Sequence, residues 1–265
     1  MVTFLAGDAA ATAVKMALRL PCLLRYGAAM ADFILVAGAR LGAWAWDEVG
    51  SELRAAGHGV HALTLSGLAE KQGVPAGQQT HVQDIVDEVE GGDLHDVVLV
   101  GHSYSGIPVG QAAERIGARL RRVVFVDSAV PVDGEAFVAL MPDGGAKLRE
   151  SLAENAGFWP LVPAEHFEGH GLTEEQIARI VAGATPHPGA TLTEPAVMAR
   201  SVGELPATYV NCAPAGSELD DDLAALIARA HWRLVELDTG HWPMFSTPRE
   251  LARILLDAAE ESVSS

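Results

Sequence analysis

The stretch Val97-Val98-Leu99-Val100-Gly101-His102-Ser103-Tyr104-Ser105-Gly106 decides the fold of this chain. Its four apolar residues are typical of a strand buried in the middle of a parallel sheet. A glycine, one further residue and a serine follow directly, and the apolar pattern of 106–116 predicts a helix after them. So tight a turn between a strand and a helix presents the serine hydroxyl at the C-terminal edge of the sheet. We therefore predict that Ser103 is a catalytic nucleophile.

Strand-like and helix-like segments alternate on both sides of this stretch, which predicts an α/β fold with a mostly parallel sheet and helices on both faces. The predicted strands are 33–36, 60–65, 97–100, 122–126, 207–212 and 232–237. The predicted helices are 43–56, 81–90, 106–116, 220–230 and 248–260. Residues 131–204 break the alternation with prolines, glycines and two helical patches, 145–156 and 173–182. Because long structureless loops are rare, we interpret this insertion as a small helical cap.

Composition and charge narrow the possible functions. The 265 residues include 35 acidic and 18 basic side chains, giving a net charge of −17. Such a surface repels phosphate backbones and anionic lipid, so we expect neither nucleic acid nor a membrane as a partner. Cys22 and Cys212 match no metal-ligand spacing, and two distant cysteines indicate reduced thiols. We predict a cytoplasmic protein without a metal site.

The first thirty residues differ from the rest. Residues 1–30 are rich in alanine, and Lys15 and Arg19 fall inside their apolar run rather than ahead of it. This argues against a secretory signal peptide, and Pro21 argues against a membrane span. We predict that 1–30 is an extension outside the fold, with translation starting at Met30, and that 31–265 is a single domain with its cap at 131–204. The alternative is an amphipathic helix that docks on the domain.

His241 is the best candidate for the base that a serine nucleophile requires. It lies between the last predicted strand and the last helix, after the serine in chain order, as a triad on this kind of sheet requires. His102 is expected to point elsewhere from its tight turn. Three cap histidines are predicted either to line the pocket or to be solvated: His166, His170 and His187. Most of the remaining histidines are expected on the surface.

Two further groups complete a predicted catalytic site. An acid should orient the imidazole, and we favour Asp127 at the end of a strand, with Glu218 or Asp220 as alternatives. The backbone N–H groups of Tyr104 and Ala39 are predicted to bind the oxyanion, because one follows the nucleophile and the other follows the first strand.

The chain resembles the group of α/β-hydrolases that contains plant methylesterases and hydroxynitrile lyases. The similarity is carried by Phe33–Trp46, by Ala56–Gly67, by the serine turn and by Gly240-His241-Trp242-Pro243-Met244. It covers the chain from about Asp32 to its C-terminus. The resemblance implies an α/β-hydrolase fold, a serine, histidine and acid triad, and no cofactor.

Four positions depart from that group. Ala37 replaces the histidine of its His-Gly pair, and Ser105 replaces the last glycine of the serine turn. The usual acid would fall near Ala215, which supports the assignment to Asp127. Trp242 stands where cyanohydrin-cleaving members carry a lysine, which disfavours that chemistry.

These observations predict a cofactor-independent esterase that cleaves a small carboxylic ester through an acyl-enzyme. Trp159 and Phe158 of the cap are predicted to line the substrate pocket. The alternatives are a lyase or cyclase of C–C or C–O bonds on the same fold, or a ligand-binding protein without catalysis. The expected partner is a small-molecule ester, and the expected assembly a monomer or homodimer.

Overall fold

Six parallel strands form the central sheet in the computed structural model, which describes residues 30–214 and 219–261. The strands in chain order are β1 (Asp32–Val36), β2 (Gly59–Leu63), β3 (Val97–His102), β4 (Leu120–Val126), β5 (Phe158–Trp159), β6 (His187–Pro188), β7 (Ala207–Cys212) and β8 (Arg233–Leu237). The sheet order is β2-β1-β3-β4-β7-β8, so β3 lies near the centre. The apolar residues of β3 are buried on both sides, as the sequence predicts.

Helices cover both faces of the sheet. The helices are α1 (Asp47–Ala55), α2 (Gln78–Gly91), α3 (Gly106–Ile116), α4 (Ala146–Glu154), α5 (Glu174–Gly183), α6 (Ala190–Thr193), α7 (Asp221–Arg229), α8 (Pro243–Ser246) and α9 (Pro248–Glu260). Helices α1 and α9 pack on one face, and α2, α3 and α7 pack on the other. The predicted fold class, an α/β-hydrolase fold, is confirmed.

Two hydrophobic cores follow from the alternation of side chains along the strands. In β1, Phe33 and Leu35 face the core shared with α1 and α9, whereas Ile34 and Val36 face the core shared with α2, α3 and α7. Parallel strands buried on both faces place their C-terminal ends at one sheet edge, where the connecting loops meet. The residues that follow β1, β3, β4 and β8 lie at this edge.

The segment 131–204 contains α4, α5, α6, several 3₁₀ turns and the antiparallel pair β5–β6. Thr173 starts α5 with a capping box, since its hydroxyl accepts the Gln176 N–H at 3.2 Å and the Gln176 side chain accepts the Thr173 N–H at 2.9 Å. The β5–β6 pair was not predicted from the sequence. Two-residue strands carry no periodic signal, and β6 contains a proline.

We predicted that residues 1–30 form an extension outside the fold and that translation starts at Met30. Both predictions concern residues 1–29, which lie outside the described residues. Within 30–214 and 219–261, no helix combines the length and the apolarity that crossing a bilayer requires.

Candidate active site

Ser103 lies in a strained turn between β3 and α3. Its φ is +56°, in the left-handed region that residues with a side chain seldom adopt. Residues 103–105 form a single 3₁₀ turn, after which α3 starts at Gly106. The hydroxyl of Ser105 accepts the His102 N–H at 2.9 Å and donates to the Val36 carbonyl at 2.8 Å. Ser105 thus ties the turn to the end of β1.

His241 lies between Ser103 and Asp127. Its Nδ1 is 2.5 Å from Asp127 Oδ2, and its Nε2 is 2.9 Å from Ser103 Oγ. Because a carboxylate only accepts hydrogen bonds, Nδ1 carries the proton, and Nε2 is free to accept the serine proton. The structure therefore brings Ser103, His241 and Asp127 together in one hydrogen-bonded line.

Asp127 follows β4 directly and has a φ of +43°. Its backbone N–H donates to the Val210 carbonyl of β7 at 2.8 Å, which turns the chain at the sheet edge.

The alternative acid Asp220 lies elsewhere, since its carboxylate caps α7 through the N–H groups of Asp222 and Leu223 at 3.0 and 3.3 Å. Glu218 lies outside the described residues.

The loop after β1 passes directly beside the serine turn. A methyl group added to Gly38 would lie 2.8 Å from Ser103 Cβ and 2.8 Å from His102 Nδ1. Ala39, the next residue, is thereby close to the nucleophile, as a donor to the oxyanion must be. The oxyanion roles of the Ala39 and Tyr104 N–H groups stay predictions.

His102 and His170 both contact the backbone of His241, and neither contact is predicted from the sequence. His102 Nε2 donates to the His241 carbonyl at 2.7 Å, although the sequence suggested that His102 points elsewhere. His170 Nδ1 accepts the His241 N–H at 3.2 Å, so a residue of the segment 131–204 touches the loop that carries His241. The only available signal was the position of His102 beside the nucleophile.

The buried histidines are neutral. His81 is fully buried between the Tyr104 hydroxyl and the Ser66 carbonyl, so it is an exception to the expectation that most of the remaining histidines lie on the surface. Burial lowers its pKa to about 4.

Burial also lowers the pKa of His102 and His187 well below the usual value. His187 neither lines the pocket nor meets solvent, because it bonds the Arg40 N–H and the Thr191 hydroxyl.

Trp159 and Phe158 point to opposite sides of β5. Trp159 packs against the buried cluster around Tyr104 and Phe137, which lies behind the serine turn. Phe158 is 42% exposed and lines a separate open depression with Leu161 and Pro186. Consecutive strand residues face opposite ways, so the structure does not place Phe158 beside Trp159 in a common pocket.

A small cavity of about 40 Å³ lies where the cap meets the loops after β1 and β8. Its wall includes Ala39, Arg40, His166 and Trp242, and the remainder is apolar. Among the described residues, no three histidine, cysteine, aspartate or glutamate side chains converge to hold a metal ion.

Comparison with known proteins identifies the family. The sequence profile of the alpha/beta hydrolase family matches residues 33–254. The chain belongs to this family. The match starts in β1 and runs into α9, so it includes the serine turn and the loops that carry Asp127 and His241.

Relatives within the alpha/beta hydrolase family include named esterases. A carbendazim hydrolyzing esterase from Nocardioides sp. (strain SG-4G) is 29% identical and aligns over 85% of this chain and 98% of the relative. Methylesterase 7 of Arabidopsis thaliana is 26% identical over 86% of this chain and 96% of its own length. The predicted resemblance to the methylesterase group is confirmed, and these relatives agree with the predicted enzyme class, a carboxylic ester hydrolase.

A solved structure has the same fold. An extracellular alpha/beta-hydrolase from a Paenibacillus species superposes with a TM-score of 0.75 at 24% identity, covering 86% of this chain and 98% of its own. It is described as sharing structural and functional homology with tobacco salicylic acid binding protein 2.

Proposed function

We propose that this carboxylic ester hydrolase acts through a triad of Ser103, His241 and Asp127 and through an acyl-enzyme. One observation carries the proposal: a continuous hydrogen-bonded line from Asp127 Oδ2 through both ring nitrogens of His241 to Ser103 Oγ. The strained turn presents that hydroxyl at the sheet edge. The names of the esterase relatives support a small ester as substrate.

Acylation transfers the acyl group to the serine. Ser103 Oγ attacks the ester carbonyl carbon while His241 Nε2 takes the hydroxyl proton. Asp127 stabilises the resulting imidazolium, and the N–H groups of Tyr104 and Ala39 bind the oxyanion. The C–O bond to the alcohol then breaks, and His241 gives its proton to the departing alcohol oxygen.

Deacylation repeats these steps with water. His241 takes a proton from water, and the resulting hydroxide attacks the acyl carbon. The second tetrahedral intermediate collapses, the carboxylic acid leaves, and the Ser103 hydroxyl regains its proton from His241.

The two alternatives from the sequence have less support. A ligand-binding protein without catalysis is disfavoured, because Asp127 Oδ2 lies 2.5 Å from His241 Nδ1, where the acid of a triad is needed. Trp242, in place of the lysine of cyanohydrin-cleaving relatives, packs its ring 4.7 Å from Phe167 and 4.7 Å from His170. This aromatic contact offers no cation for cyanide.

A fluorophosphonate probe tests the proposal, with the adduct site determined by mass spectrometry. We expect stoichiometric labelling of Ser103, none in Ser103→Ala, and labelling roughly 10²–10⁴-fold slower in Asp127→Asn. Asp96→Asn is the matched control, because Asp96 is also an aspartate at positive φ but is exposed and remote from the triad. An unlabelled but folded wild type, or equal rates in Asp127→Asn and wild type, would refute the triad.

A further inference from the structure

Arg40 is a buried cation in the loop after β1. Only 8% of it is exposed, and its backbone has a φ of +71°. Its N–H donates to His187 at 3.1 Å, and its carbonyl accepts the Thr185 N–H at 2.9 Å. Its Nε donates to the Pro160 carbonyl at 2.7 Å. The cap therefore holds both the backbone and the side chain of Arg40.

The guanidinium of Arg40 lacks a counter-ion among the described residues. Its carbon lies 3.6 Å from the centre of the Trp159 ring, which satisfies one face by a cation–π contact. Its Nη2 is buried and has no hydrogen-bond partner in the described chain. Burial lowers the pKa of Arg40 to about 10, so the group stays charged at neutral pH. A buried charge without an anionic partner is costly, and an arriving anion would remove that cost.

The cavity beside Arg40 is the place where such an anion would sit. Because roughly 10–15 Å³ suffices for one water molecule, its volume of about 40 Å³ suits a group of about three heavy atoms, the size of a carboxylate. Its wall includes Ala39, the predicted oxyanion donor, and Trp242, the residue after His241. The pKa of His166 in the same wall is lowered by burial and by Arg40, which leaves Arg40 as the cation at neutral pH.

We propose that Arg40 and this cavity form an anion subsite that binds a carboxylate carried by the ester substrate. The preferred substrates are then half-esters of small dicarboxylic acids, in which one carboxyl group is esterified and the other is ionised. A guanidinium binds a carboxylate through two parallel hydrogen bonds, which a neutral amide of the same shape cannot reproduce. This inference rests on the proposed esterase function, since the subsite holds the far end of the same substrate.

Two isosteric esters test the subsite. Monomethyl succinate carries the free carboxylate, and methyl succinamate carries a neutral amide in its place. We expect the wild type to prefer the half-ester at least tenfold in kcat/KM at pH 7.5. Arg40→Met should abolish that preference by lowering kcat/KM for monomethyl succinate, and Arg40→Lys should retain part of the preference. Arg179→Met is the matched control, because Arg179 also lies near aromatic rings but pairs with Asp47 at the surface.

A measurement on the wild type alone covers the case in which Arg40→Met does not fold. Succinate should slow fluorophosphonate labelling of Ser103 at least tenfold more effectively than succinamide. Equal kcat/KM values for the two esters, or an equal loss of both in Arg40→Met, would overturn the subsite. So would acetate blocking the cavity without any half-ester preference, which would indicate a site for a free anion. Absent labelling in the wild type would instead refute the proposed triad.

Discussion

The backbone N–H and the backbone carbonyl of His241 are each hydrogen-bonded to another histidine. His102 Nε2 donates to the His241 carbonyl at 2.7 Å. His170, a residue of the cap, accepts the His241 N–H at 3.2 Å. His102 is buried and neutral, so its donor stays fixed. His170 must keep Nδ1 unprotonated to accept, and burial together with nearby His241 lowers its pKa, which favours that form. The position of the His241 imidazole in the proposed triad therefore depends on a residue of the cap.

Replacement of His170 by leucine should slow turnover through misplacement of His241. The lost hydrogen bond corresponds to about 1–1.5 kcal/mol, or roughly tenfold in kcat. His170→Asn should retain most activity, because its amide oxygen can accept the same N–H. Steady-state hydrolysis of 4-nitrophenyl acetate measures both variants, with exposed His95→Gln as control. Equal rates for the leucine and asparagine variants would contradict this positioning role.

The start of α3, directly after the serine turn, leaves no room for an added side chain. The start of α3 packs against the loop that follows Asp127, where the Ala129 N–H donates to the Ser103 carbonyl at 3.0 Å. A methyl group added to Gly106 would lie 2.0 Å from the Ala129 carbonyl oxygen and 2.5 Å from Ser128 Oγ. The loops that carry Ser103 and Asp127 are thus in direct contact, and glycine at 106 makes this approach possible.

Gly106→Ala should therefore lower the free energy of unfolding by about 1–3 kcal/mol, as overpacking of a tight site does. Gly91→Ala is the matched control, because Gly91 is also helical but a methyl group there meets nothing within 4 Å. It should raise stability by roughly 0.4–1 kcal/mol. Urea unfolding measures both. An unchanged midpoint for Gly106→Ala would show that the two loops separate at little cost.

Elements with a strong local pattern could be predicted closely from the sequence. The predicted bounds of β7 and α9 agree with the structure, because an apolar run defines the strand and Pro248 starts the helix. Ser103, His241 and Asp127 could be selected because each directly follows a strand of the sheet or precedes a terminal helix. The contacts of His170 and Arg40 could not be predicted, because each contact joins segments more than 70 positions apart in the sequence. No periodic pattern of residues links such segments.

Across the whole molecule, buried neutral histidines join α2 and the cap to the loops at the sheet edge. His81 in α2 donates to the Ser66 carbonyl at 2.8 Å and accepts the Tyr104 hydroxyl at 3.0 Å. His187 in the cap accepts the Arg40 N–H and donates to the Thr191 hydroxyl at 2.9 Å. Protonation would break the accepting bond in each case. The folded state therefore excludes protons that the unfolded chain readily binds.

Acid should destabilise the protein through these groups. Unfolded His81 takes a proton below pH 6.5, but the folded protein does so only near its pKa of about 4. Between those values the unfolded state binds one more proton, so His81 alone removes about 1.4 kcal/mol of stability per pH unit as the pH falls. His81→Gln keeps a donor and an acceptor but does not titrate. As the pH falls from 6.5 to 5, the stability of His81→Gln relative to wild type should therefore rise by about 1.5 kcal/mol in total.

Urea unfolding of wild type and His81→Gln at several pH values measures this difference. Acid also neutralises part of the net charge of −17, which relieves repulsion, and this effect cancels because both proteins share it. His95→Gln should show no such slope, because the His95 side chain lies exposed at the surface. Parallel pH curves for wild type and His81→Gln would mean that folded His81 accepts a proton without losing its contact to Tyr104.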